Sequence, residues 1–433
     1  MLVPMRKHDS LIDKDNLKMH LIANEKITLF FILLLATTIK LSVVMILNIE
    51  PGSDFASYMH MATTMLSTGH MDDGMGNVAY YSSGYPLFLV PFFALFGSTA
   101  EVAQFVNVAL GVTSVLLVYL CSKYILPNWK WAAVSAFIWA TYPPAVLYTE
   151  YVAKENLMVT LLLLQTLLLL RYPSSQNKTF LAVILGTVYG IGLLVGPAII
   201  LTGLLIGLVV TEFNVRKPIL SNLSWNKVLA CGFGCLIILS PWLAYTNSKL
   251  GKPILNTNGG FNLYLGNNAN STVHFIGIQD TPIGPEWHAL REEKGEVESM
   301  LFLKNMAIDY ILENPIKTLW LSVNKITYFW YPPIHEGRDG NQSKIENIVR
   351  SIWLFYYILV ITAALLPFLF IRKLTRMHLI LYATVLLYCL IHAAAYVIFR
   401  YRIPIMPFMC ILAVSGISFV QTWWSSKKQS ISK

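Results

Sequence analysis

Few residues of this 433-residue chain can do chemistry, since only 13% are charged. Those that can gather in three short polar stretches. The first reads Gly52-Ser53-Asp54-Phe55-Ala56-Ser57-Tyr58. Ser53 suits an N-cap, and the run from Asp54 to Ser67 fits a helix closed by Gly69. On such a helix Asp54, Tyr58 and Met61 share a face. An acid in a first turn also complements the helix dipole with no further role. The second stretch opens with Tyr142-Pro143-Pro144, predicted to break the helix near the outer surface, and continues to Glu150, Lys154 and Glu155, where Lys154 can pair with either acid or face a ligand. The third is Phe399-Arg400-Tyr401-Arg402-Ile403-Pro404. Its two arginines read either as interfacial snorkelling or as a clamp for a phosphate, which suits guanidinium geometry.

Taken as one site, these pieces set a carboxylate opposite cations. A carboxylate can take the proton of an attacking hydroxyl. Fixed positive charge can stabilise a departing phosphate, which needs no added proton. Retention would need a second carboxylate as nucleophile within about 5.5 Å, so a single strong candidate acid favours inversion.

The elements that must position these residues follow from composition. Apolar residues make up 55% of the chain and mean hydropathy is +0.57. A soluble domain carries roughly 25% charge, so the chain reads as an all-α polytopic membrane protein. Net charge is +9, from 32 Lys+Arg against 23 Asp+Glu, but the positions of the charges argue against nucleic acid as a partner. A membrane helix needs about 20 apolar residues. Ten stretches are predicted to span: 27–49, 101–122, 131–148, 155–171, 179–195, 197–212, 228–247, 350–371, 378–398 and 403–424. Two further apolar stretches, 84–97 with Pro86 and Pro91, and 316–331 with Lys317, Asn324 and Lys325, are predicted to lie on or dip into the outer face.

Basic residues in short loops stay cytoplasmic. Ten spans place the leader, Lys123 and Lys130, Arg171 and Lys178, Arg216, Lys217 and Lys227, Arg372, Lys373 and Arg376, and the tail on that side. Only Lys154, Arg400 and Arg402 then fall in short outer turns. Twelve spans would put the three middle basic loops outside. The expected organisation is a cytoplasmic leader 1–26, a transmembrane catalytic module 27–247 with an outer loop 50–100, an outer loop domain 248–349, transmembrane helices 350–424 and a cytoplasmic tail 425–433. The outer loop 50–100 has no Lys or Arg but carries Glu50, Asp54, Asp72 and Asp73.

With these residues in view, the chain resembles the GT-C superfamily of polytopic glycosyltransferases, in the branch of protein O-mannosyltransferases and bacterial lipid A aminoarabinose transferase. The matching pieces are Asp54-x-x-x-Tyr58, Gly84-Tyr85-Pro86 through Phe96-Gly97, and Pro143 followed by Glu155-Asn156-Leu157. Asn258-Gly259-Gly260-Phe261-Asn262-Leu263-Tyr264 through Gly266-Asn267-Asn268 and Arg400-Tyr401-Arg402-x-Pro404 complete them. The resemblance implies a polyprenyl-phosphate sugar donor and Asp54 as catalytic base. It also implies transfer, on the outer face of the cytoplasmic membrane, to a glycan, lipid or protein acceptor. Where several relatives carry a basic residue the chain reads Ser82-Ser83-Gly84, and where many carry an Arg it reads Leu194-Val195-Gly196-Pro197.

Lys154, Arg400 and Arg402 are the candidate phosphate ligands. Tyr58, Tyr85, Glu155, Asn262, Tyr264 and Asn267 are candidates for substrate contact or support, and in relatives that use a divalent metal Glu155 would be a ligand. No His/Cys cluster has zinc spacing. The Gly/Asn stretch around Asn262 can also be a turn that merely folds the loop. Lys40 lies near the middle of the first span, where a charge costs about 2.5–3.5 kcal/mol. It must face a polar partner in the bundle or reach the donor. Cys231 and Cys235 read as small-residue packing on one helix face. Sequons at Asn177 and Asn222 fall in cytoplasmic loops, and His60, His70 and His335, all outer-facing, receive no role. A transporter or flippase without covalent chemistry is the competing reading. It expects repeat symmetry and polar residues along a path, of which the chain shows little. A cysteine placed at position 54 should react with membrane-impermeant reagents from outside only, and labelling confined to the cytosolic side would overturn the ten-span threading.

Overall fold

The computed structural model describes residues 9–47, 49–212, 224–332 and 344–431. Arg216, Lys217, Asn222 and His335 lie outside the described residues, as does the start of the leader. The described residues hold no strand. The first helix, α1 (Asp9–Leu47), is followed by α2 (Asp54–Thr68) and α3 (Gly84–Phe96) of the first outer loop, then α4 (Ala100–Ser122), α5 (Trp129–Ala140), α6 (Pro143–Leu147) and α7 (Glu155–Arg171). Next come α8 (Lys178–Val195), α9 (Thr202–Val210), α10 (Trp225–Leu250), α11 (Gly259–Gly266), α12 (Trp287–Glu313) and α13 (Pro315–Trp330). The chain ends with α14 (Lys344–Leu365), α15 (Arg376–Ala394) and α16 (Met406–Ile431).

Eight of the ten predicted spans are long and apolar enough to cross a membrane, within α1, α4, α7, α8, α10, the α14 and α16 regions, and α15. The chain is a multi-pass membrane protein. The other two predicted spans, 131–148 and 197–212, are broken. Pro143 and Pro144 restart the first as the five-residue α6, and Pro197 opens a 3-10 turn before the nine-residue α9. Proline has no N–H to donate and clashes with the preceding turn, so the first stretch does not continue as one helix, while the second starts at its proline and turns as 3-10 before α9. At thirteen and sixteen residues, α3 and α13 are shorter than a span, and α13 leaves Ile316, Leu319, Trp320 and Val323 exposed. Phe30 and Phe31 on α1, Phe233 and Leu236 on α10, and Ile352 and Phe355 on α14 are likewise exposed, as lipid-facing side chains are.

Helix ends predicted to be cytoplasmic meet one another. Lys123 at the end of α4 pairs with Glu25 of α1 at 2.6 Å, and Glu212 after α9 receives both Lys178 of α8 and Lys227 of α10. The side chain of Asn177 caps α8 by accepting from the Phe180 N–H at 3.1 Å. The expected cap at Ser53 differs: its side chain makes no capping bond and its φ is +55°, a left-handed conformation that costs a non-glycine residue energy. The other end is as predicted, with Gly69 in the left-handed region and its N–H bonded to the Met65 carbonyl.

Small residues let α8 and α10 touch backbone to backbone, as membrane helices do in the absence of a hydrophobic driving force between them. A Cβ on Gly186 would stand 1.9 Å from the Cys231 carbonyl oxygen, and one on Gly234 would stand 2.2 Å from that of Val183. Cys231 and Cys235 therefore serve this seam. Gly186→Ala should lower stability by about 1–3 kcal/mol through overpacking, read as a reduced melting midpoint in detergent, and Gly186→Leu should prevent α8 and α10 from pairing. An unchanged midpoint in both variants would contradict this account of the seam.

Candidate active site

Three chain segments far apart in sequence converge at the predicted outer end of the bundle. The start of α2 brings Asp54, the start of α7 brings Lys154 and Glu155, and the 3-10 turn Phe399–Ile405 before α16 brings Arg400. Arg400 grips Asp54 with both terminal nitrogens, Nη2 to Oδ2 at 2.6 Å and Nη1 to Oδ1 at 3.3 Å. Its Nε lies 3.5 Å from Glu155 Oε1. Phe55 and Tyr401 flank the guanidinium at 5.4 and 6.0 Å from their ring centres. Bidentate Arg–carboxylate geometry is among the stronger charge-assisted contacts, and here one cation bridges two acids.

Beneath this cluster Tyr58 is fully buried, edge-on to Tyr81 and Tyr85, and the Tyr85 hydroxyl donates to Asn107 Oδ1 at 2.8 Å. Burial, with help from Glu155 and Asp54, pushes the Tyr58 phenol well above its ordinary range, so it stays protonated and acts as packing under Asp54. Gly84 sits where a Cβ would meet the backbone of Leu194 and Val195 within 2.6 Å. The two places at which the chain departs from its relatives' basic residues thus pack directly on each other.

Lys154 has neither partner expected of it. Glu155 is engaged by Arg400. Glu150 is buried, accepts from the Ile49 N–H and from Gln104 Nε2, and is raised above the usual carboxylate range by burial. Among the described residues no carboxylate lies within 4.0 Å of Lys154 Nζ. Burial holds its ammonium below the ordinary lysine range, with Glu155 opposing.

Two cavities flank the Asp54–Arg400–Glu155 cluster. The first, of about 530 Å³, is lined by Lys154, Glu155, Gly196, Asn256, Asn258, Asn262, Lys304, Tyr396 and Tyr401 among others. The second, of about 1060 Å³, lies between the end of α1, α6, α14 and the 399–405 turn. Arg350, Arg400, Arg402, His274 and four tyrosines line it, with no acid among its described walls. Arg402 is buried, donates through Nη1 to the Tyr331 carbonyl at 2.6 Å and the Tyr357 hydroxyl at 3.0 Å, and lies against the Tyr357 and Phe399 rings. It does not touch Asp54 or Glu155.

The remaining candidates separate. Asn262 lines the first cavity and accepts from the Tyr396 hydroxyl at 3.5 Å. Asn267 is buried and ties α11 to the end of α15 through the Ala394 carbonyl at 2.8 Å. Tyr264 lies in a small separate core with Ile283, Trp287 and Leu303. Tyr85, Tyr264 and Asn267 line neither cavity. Lys40 meets the Ala145 carbonyl of α6, and Lys325 of α13 donates to the Gly266 and Ala395 carbonyls at 2.7 Å each. Sequence reasoning missed Lys325 and Glu296. The Glu296 carboxylate accepts from the Val78 and Ala79 N–H groups at 2.8 and 2.9 Å and from Thr257 Oγ1 at 2.9 Å, clasping the two outer loops together. Nothing in the local pattern marks Glu296, because two of its partners are backbone groups more than two hundred residues away and the third is the distant Thr257 hydroxyl.

Residues 84–245 match the family model described as dolichyl-phosphate-mannose-protein mannosyltransferase. No curated protein matches the chain. Among solved structures, the oligosaccharyltransferase of Archaeoglobus fulgidus in its apo form superposes with a TM-score of 0.53 at 13% identity, over 93% of this chain and 52% of that one. The archaeal oligosaccharyltransferase AglB from the same organism, in complex with an inhibitory peptide and a dolichol-phosphate, gives 0.51 at 13% identity over the same shares. A looser likeness, 0.44 at 12% identity over 90% of this chain and 77% of that one, is to ArnT from Cupriavidus metallidurans bound to undecaprenyl phosphate. The chain spans about half the length of the oligosaccharyltransferases it matches.

Glu296→Ala should cost about 2 kcal/mol or more, since it leaves two backbone donors unpaired at about 1–3 kcal/mol each. Proteolysis at residues 70–80 should quicken in that variant, and a wild-type melting curve and digestion pattern would contradict the clasp. In fold, the chain is a multi-pass membrane protein similar to the Archaeoglobus fulgidus oligosaccharyltransferases.

Proposed function

We propose that the protein is an inverting glycosyltransferase, moving a sugar from a polyprenyl-phosphate donor to an acceptor on the outer face of the cytoplasmic membrane, with both termini cytoplasmic. The observation that carries the reading is the Arg400 bridge between Asp54 and Glu155, set between two cavities of which one is walled by arginines with no acid among its described residues. A dolichol-phosphate sits in the AglB complex that shares this fold, and a departing lipid phosphate needs the charge the second cavity offers. Arg400 and Arg402 would hold that phosphate, its isoprenoid chain lying toward Leu47, Val349 and Trp353 at the helix ends. Lys154 would act from the other side of the cluster.

Asp54 lines neither cavity and is reached through Arg400. Both of its oxygens are gripped by the guanidinium before a substrate arrives. A donor phosphate competes for the same nitrogens. As Arg400 turns to it, Asp54 is released to accept the proton of the attacking hydroxyl while that oxygen bonds to the anomeric carbon and the phosphate leaves with the electron pair of the broken C–O bond. Glu155 remains to hold Arg400 in place. The two carboxylates are too few to cage a divalent ion by themselves, and Arg400 fills the space between them, so no step is routed through a metal.

Purified protein supplied with radiolabelled polyprenyl-phosphate sugars and a cell-envelope acceptor fraction tests the assignment. Asp54→Asn should cut transfer by about 10²–10⁴-fold, the usual contribution of a general base, with donor binding retained. Near-normal turnover in that variant would remove Asp54 from the chemistry.

A further inference from the structure

The first cavity has a cation that the proposed reaction leaves without a partner. The two acids beside Lys154 in sequence are both engaged, Glu150 by the Ile49 N–H and Gln104, and Glu155 by Arg400. Its Nζ packs near Gly196 at the cavity wall, 3.7 Å from where a Cβ would stand. An ammonium withdrawn from water without an anionic partner is unfavourable, and Asp54 and Glu155 offset that only from beyond ion-pair distance. Lys304, exposed at the rim, also makes no ion pair among the described residues. Between the two lysines stand Asn256, Asn258 and Asn262, whose amides both donate to and accept from hydroxyls. Met158, Ile254, Leu263 and Met300 give the wall apolar surface, and Thr257, Tyr388, His392, Tyr396 and Tyr401 add polar groups.

We propose that this cavity is the acceptor subsite, and that it takes a hydroxyl-bearing acceptor carrying an oxyanion, either phosphate or carboxylate, close to the hydroxyl that attacks. The proposal rests on the glycosyl-transfer reading for the word acceptor, but its chemistry belongs to the cavity. Lys154 meets the oxyanion, Lys304 draws it in, and the asparagines align the hydroxyls. Glu155, the only acid among the described wall residues, lies beside Lys154 and marks the side from which the hydroxyl reaches the cluster. The donor phosphate occupies the other, arginine-lined cavity, so the two substrates bring two anions to opposite sides of the Asp54–Arg400 pair.

Calorimetric titration of the purified full chain in detergent tests this with three small probes: glycerol 3-phosphate, glycerate and glycerol. The anionic probes should bind where glycerol at equal concentration does not, and binding by one anion alone would identify the oxyanion. Lys154→Met should weaken anion binding at least tenfold, and Lys154→Arg should restore most of it. Arg402→Met should leave it within twofold while weakening undecaprenyl phosphate. Retained undecaprenyl phosphate binding in Lys154→Met would show that variant to be folded. Equal binding of glycerol, or loss of anion binding that follows Arg402 instead of Lys154, would overturn the proposal. Failure of the wild-type chain to bind undecaprenyl phosphate would instead sink the donor reading and leave the anion subsite standing.

Discussion

The Arg400 guanidinium is the contact on which the arrangement depends. It joins the start of α2, the start of α7 and the turn before α16, three segments that no local hydrogen bond connects. Charges at the end of a membrane bundle are costly when isolated, and a fork that satisfies two carboxylates at once makes their convergence favourable. The same bond restrains Asp54 until another anion competes for the fork.

Two buried lysines hold the segments that carry this cluster. Lys40 donates to the Ala145 carbonyl of α6, which leads by a short turn to Lys154 and Glu155. Lys325 donates to the Ala395 carbonyl, which leads to Arg400. Both carbonyls belong to places where a helix is broken or ended. Backbone oxygens there have lost their helical partners and must find others inside the protein. The broken and ended helices beside the cavities are thus tied by two buried lysines, of which Lys40 was marked in the sequence as a costly charge.

Much of this was legible in advance where it rested on composition and local chemistry. The all-helical class, the long spans, the helix from Asp54 to Gly69 and the meeting of Asp54 with Arg400 follow from hydropathy, capping and sidedness. The break at Tyr142-Pro143-Pro144 was legible from its prolines, whereas Pro197 stood at the start of a predicted span and the 3-10 turn it opens was not foreseen. The partition of the cations was not legible. Arg400 and Arg402 are two residues apart, yet a 3-10 turn points one at Asp54 and the other at Tyr331 and Tyr357. Lys154 was hidden differently, because its apparent partners are taken by groups distant in sequence. Tyr264 and Asn267 stand in a motif with Asn262, but only Asn262 reaches a cavity, since neighbouring positions on a short helix face different ways.

The coupling between Asp54 and Arg400 can be measured directly by a double-mutant cycle on the stability of the detergent-solubilised chain, using Asp54→Asn, Arg400→Gln and the double variant. A bidentate, half-buried pair predicts an interaction free energy of about 1–3 kcal/mol, with the second substitution costing less once the first is made. Strictly additive effects would mean that the two side chains do not hold each other, and the account of a base kept in check by its own arginine would fail.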